Sequence, residues 1–114
     1  MAKATNIQTA DLYIWGQNCD GWRLLMSDTL TIIQERMPPG TSEVRHRHTH
    51  SRQFFYVLSG ELTMEVERET LLLTVGDGLE IPPGQAHQAF NHGVHDVDFL
   101  VTSQPPSQND RHPA

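Results

Sequence analysis

His46-Arg47-His48-Thr49-His50-Ser51-Arg52-Gln53 runs directly into Phe54-Phe55-Tyr56-Val57-Leu58, and the reading of this stretch decides the fold. In an extended strand successive side chains point to opposite faces, so His46 and His48 share a face with their Cα atoms roughly 7 Å apart. The five residues after Gln53 have the aromatic and β-branched content of a buried strand. A Pro-Pro-Gly turn (Pro38, Pro39, Gly40) precedes the histidines, and a second one (Pro82, Pro83, Gly84) is followed three residues on by His87. Histidines delivered by two rigid turns are read as one metal site inside a small β-barrel.

Outward from this stretch, short apolar segments alternate with turn signals. Residues 12–15, 22–26 and 30–37 read as strands, the last with Thr31, Ile33, Glu35 and Met37 on one face. The stretch 16–21 (GQNCDG) reads as a turn. After Ser59-Gly60, residues 61–67 alternate cleanly, with Leu62, Met64 and Val66 inward. Residues 70–75, 79–81, 85–90 and 97–102 complete the set. No window sustains a helical period. Eight or more short strands bounded by Gly or Pro predict an all-β antiparallel sandwich or barrel, paired as sequential hairpins. The expected division is a loose polar arm over 1–10, a barrel over 11–102, and a flexible tail over 103–114 that is too polar to bury itself.

At 114 residues the chain can bury one core but not two. Its net charge of −6 argues against nucleic acid, whose phosphates need a basic surface. No run approaches membrane-spanning length. The single cysteine, Cys19, excludes an internal disulfide and makes a reducing cytoplasm the expected setting.

The motifs resemble those of the cupins, whose fold is a double-sheet jelly roll. Gly40 is followed after five residues by His46, then His48, then after four residues Gln53, then after six Gly60. The second motif runs from Gly76 through five residues to Pro82, then Gly84, His87 and Asn91. Gln53 is the one departure, because the family usually has glutamate there. By this resemblance His46, His48, Gln53 and His87 are the metal ligands. Iron, manganese, nickel, copper and zinc all accept imidazole, so the metal is a divalent ion of open identity.

Three imidazoles and an amide are neutral, so a bound ion keeps its full charge and favours an anionic ligand such as an enolate. Gln53 could equally stand behind a three-histidine site with open positions, the arrangement catalysis requires. The spacing from His48 to Gln53 changes side-chain parity and predicts a loop between them. His50 is a ligand only if the strand stays extended, His92 and His95 read as surface residues, and His112 falls in the tail, away from the site. Cupins include dioxygenases, isomerases, epimerases and binding modules, so the fold leaves the activity open. Dioxygenase chemistry on a small molecule is the leading expectation. A sugar isomerase with Glu35 or a spare histidine as base, and a non-catalytic sensing module, are the alternatives. Exposed sheet edges predict a homodimer, joined through the aromatic strand or the N-terminal segment.

Overall fold

The computed structural model describes residues 1–114 and contains eleven strands and no helix. They are β1 (Asp11–Trp15), β2 (Cys19–Met26), β3 (Thr31–Met37), β4 (His46–Arg47), β5 (Arg52–Ser59), β6 (Leu62–Val66), β7 (Glu69–Leu73), β8 (Gly78–Ile81), β9 (His87–Phe90), β10 (Val97–Gln104) and β11 (His112–Pro113). They form two antiparallel sheets, β1-β2-β3-β10-β5-β8 and β11-β4-β9-β6-β7. The fold is the jelly roll that the motifs implied. No helix is long and apolar enough to cross a membrane.

Pairing corrects the expectation of sequential hairpins. Only β1–β2, β2–β3 and β6–β7 pair with their chain neighbours. Elsewhere the chain mostly crosses from one sheet to the other between strands, so β10 lies between β3 and β5. The physical reason is burial. A strand with one apolar face is best covered by the opposite sheet, and consecutive strands such as β4 and β5 face each other across the core instead of sharing hydrogen bonds.

Side-chain alternation divides the interior into two ends. On β5, Gln53, Phe55 and Val57 point inward while Phe54, Tyr56 and Leu58 point out, as parity predicts. On β10 the inward residues are Val97, Phe99, Val101 and Ser103. At one end Met37, Val57, Val97 and Phe99 are wholly buried. The rings of Phe55 and Phe99 lie 5.8 Å apart. Complete burial of a side chain such as Phe99 stabilises the fold by about 2–3 kcal/mol. Toward the other end the same strands present Ile33, Glu35, Gln53 and Ser103, which cannot form a dry core and instead line a cavity. Packing is therefore apolar at one end and chemical at the other.

Two local expectations change. The turn before β2 is shorter than 16–21, because Cys19 already belongs to the strand and is fully buried in the core. The segment from Ser103 onward is not a free tail. β10 continues to Gln104, Asp110 is buried, and β11 pairs with β4. Polarity did not prevent burial here, because backbone groups elsewhere in the chain were waiting to be satisfied by it.

Candidate metal centre

Neighbouring strands of the five-stranded sheet deliver the histidines. His46 on β4 is directly opposite His87 on β9, so the two side chains leave the sheet on the same face. His48 follows at the end of β4, where the chain bends before β5, as the parity change to Gln53 required. The ring centroids of His46 lie 4.4 Å from His87 and 4.9 Å from His48. Potential ligand atoms of the three residues all lie within 4.8 Å of one another. Phe55 packs edge-on to His87 at 6.2 Å, closing the floor.

Each ring has one nitrogen committed. Nδ1 of His46 donates to the Val44 carbonyl at 2.8 Å, that of His48 to the Asp110 carbonyl at 2.6 Å, and that of His87 to the Gln85 carbonyl at 3.0 Å. A carbonyl can only accept, so these contacts place the proton on Nδ1 and leave Nε2 with a free lone pair. Nε2 of His48 and of His87, and Oε1 of Gln53, are buried with no hydrogen-bond partner. Buried polar atoms left unpaired are uncommon and costly, and a cation held by the triad could supply the partner they lack.

Protonation fits the same purpose. Burial is the main force lowering the imidazoles, with neighbouring histidines and Arg111 adding to it. His46 falls to about 3 and His87 to about 4, and His48 is lowered as well. All three are neutral at physiological pH, the form that binds metal. The donor set suits a first-row divalent ion, and the open side of the triad faces the cavity. Gln53 is held by its Nε2, which donates to the Ser103 hydroxyl at 3.0 Å. His50 and His92 are exposed, and the ring of His92 stacks on Phe90.

The cavity has a volume of about 310 Å³. Besides His46, His48 and Gln53 it is walled by Tyr13, Glu35 and Glu43. Burial, reinforced by the nearby Glu43 charge, raises Glu35 to about 8. Burial also raises Glu43 to about 7, against the opposing pull of Arg111 and of the Ala89 backbone N–H that it accepts at 3.0 Å. Burial keeps the Tyr13 phenol well above its ordinary range, and its Oη donates to Glu35 Oε2 at 3.4 Å. Glu35 was legible from the alternation of β3. Glu43 and Tyr13 were not, because one lies in a loop and the other reads as strand packing.

A double-sheet β-barrel carrying an inward three-histidine cluster defines the class, and comparison with known proteins places the chain within it. The Cupin domain family matches residues 33–103, and the chain belongs to that family. A polyketide synthase, CurC of Streptomyces cyaneus, is 37% identical over 69 residues, which are 60% of this chain and 45% of that protein. An oxalate-binding protein of Thermotoga maritima is 29% identical over 66 residues, 58% of this chain and 54% of its own. The chain thus matches about half the length of these curated relatives. Among solved structures, the polyketide cyclase RemF of Streptomyces resistomycificus superposes with a TM-score of 0.84 at 19% identity, covering 100% of this chain and 86% of that one.

Proposed function

We propose that this protein is a metal-dependent enzyme that moves protons on a small enolisable carbonyl compound. One observation carries the reading. Three neutral imidazoles and two carboxyls that hold protons near neutrality line or adjoin a single cavity. His46, His48 and His87 would hold the ion, with Gln53 Oε1 as a further donor. A divalent ion there would supply Lewis-acid polarisation of a substrate oxygen.

The chain's own groups supply the rest. Glu43, the less strongly raised of the two, takes the proton adjacent to the carbonyl, and Glu35, the more strongly raised, returns one elsewhere on the substrate. Two carboxyls held apart in pKa are a recurrent acid–base arrangement. The Tyr13 hydroxyl holds the Glu35 carboxyl in place. The cavity accepts a molecule of modest size, and the polyketide-related names of two similar proteins support a substrate with several carbonyls. These carboxyls move the favoured chemistry from dioxygenase toward isomerisation or ring closure.

The test is solvent-deuterium exchange into 1,3-dicarbonyl and 2-oxo acid compounds, followed by NMR with zinc- or manganese-loaded protein. Exchange should accelerate, with Glu43→Gln losing it while keeping the metal and His87→Ala losing both. Oxygen consumption by the iron-loaded protein without exchange would restore the dioxygenase reading. Tight binding with neither activity would make the protein a sensing module.

A further inference from the structure

The three histidines differ in what fixes them. His46 and His87 each donate Nδ1–H to a carbonyl two residues earlier in their own segment. His48 donates instead to the carbonyl of Asp110, 62 residues away. Two of the rings are thus oriented locally, and the third depends on a remote piece of chain.

That piece is seated with care. The Asp110 carboxylate accepts the backbone N–H groups of Thr49, His50 and Ser51 at 2.8, 2.8 and 2.9 Å. Three successive amides aimed at one carboxylate form an anion-binding nest. Burial pushes this carboxyl up, but the three donors and His112 outweigh it and leave it below the usual carboxylate range. On one side of the seat the Ser51 hydroxyl donates to the Pro105 carbonyl at 2.6 Å. On the other, His112 and Pro113 pair with Arg47 and His46. Between these ties Ser107, Gln108, Asn109 and Arg111 enter the cavity wall.

We infer that residues 105–113 form a strap keyed by Asp110, and that its docking orients His48 for the metal. Asp110 is a positioning residue that reaches the ion only through His48 and its loop. Coupling between two binding events is reciprocal, so a bound ion must tighten the strap by the factor that the strap tightens the ion. The strap also closes one wall of the cavity, so metal loading is coupled to cavity closure. The inference rests on the triad being a metal site, and its test separates the two.

Three readouts serve. Zinc affinity, measured by competition with a chromophoric chelator, should fall in Asp110→Ala, which keeps the carbonyl facing His48 but removes the carboxylate that seats it; the ceiling is the roughly 10- to 100-fold loss seen when a partner of a ligating histidine is removed outright. Asp110→Asn, which keeps one acceptor oxygen in the nest, should lose less. In the unaltered protein zinc should slow hydrogen exchange at the Thr49, His50 and Ser51 amides, which needs no variant to fold. Imidazole nitrogen NMR on metal-free protein should show His48 as the Nδ1–H form, mixed with the other tautomer in Asp110→Ala. Folded Asp110→Ala with unchanged zinc affinity, or amide exchange indifferent to zinc, would overturn the strap. If the unaltered protein bound no zinc, the metal site itself would fall, and an unaltered His48 tautomer in the variant would still refute the role given to Asp110.

Discussion

Glu35 and Glu43 couple the chemistry of the cavity to the stability of the fold. Both start from an ordinary value of 4.5 and stand at about 8 and about 7 in the folded chain. Between those limits the folded state binds more protons than the unfolded one, so stability falls as pH rises. Their contribution is full below about 4.5 and is lost as pH climbs through about 7 and 8. The histidines act in a separate, more acid window, since their lowered values make the folded state resist protonation below 6.5. Urea midpoints of metal-free protein should therefore decline between about pH 6.5 and 8, and Glu35→Gln should flatten that decline. An unchanged slope in the variant would mean that Glu35 is not its source. At this scale the sequence was legible wherever a side chain sat in a regular strand. His46, His48 and Glu35 follow from parity, His87 from its place after a rigid turn, and Gln53 from the resemblance to the cupin motif. Asp110 acts on a loop about sixty residues away, so no local pattern betrays it, and its polar neighbours read as a tail.

Turns decide whether the strands meet in the right places. Gly60 joins β5 to β6 with a φ of 78°, and a Cβ there would lie 2.4 Å from the Asp96 carbonyl oxygen. Backbone cannot step aside as a flexible side chain can. Gly76, with a φ of 88°, has nothing within 4 Å of its missing Cβ. Gly60→Ala should thus cost more than Gly76→Ala. The open site bears roughly 1 kcal/mol of backbone strain, and the crowded one about 3 kcal/mol or more. Equal urea midpoints for the two variants would refute this. The strands themselves were readable because alternation and Gly or Pro punctuation are local signals. Their partners were not, since β3, β5 and β10 are brought together by the closure of two sheets over one core, which no short window records.

The whole molecule presents an apolar face that its own chain leaves uncovered. Phe54, Tyr56 and Leu58 are 44%, 40% and 38% exposed on the outer side of β5. We propose that a second copy covers this strand. Light scattering at micromolar concentration should give twice 12.9 kDa, and Tyr56→Lys should return the single-chain mass. A single-chain mass for the unaltered protein would refute the pairing. The central position of β10 has a further consequence, for how the protein comes into being. On the ribosome β3 and β5 emerge well before Val97–Gln104, yet neither has its shared neighbour until that last stretch is synthesised. Nascent chains must therefore carry two sticky borders unsatisfied until Val97–Gln104 emerges, and folding is expected to be slow, as contacts between residues distant in the chain generally dictate.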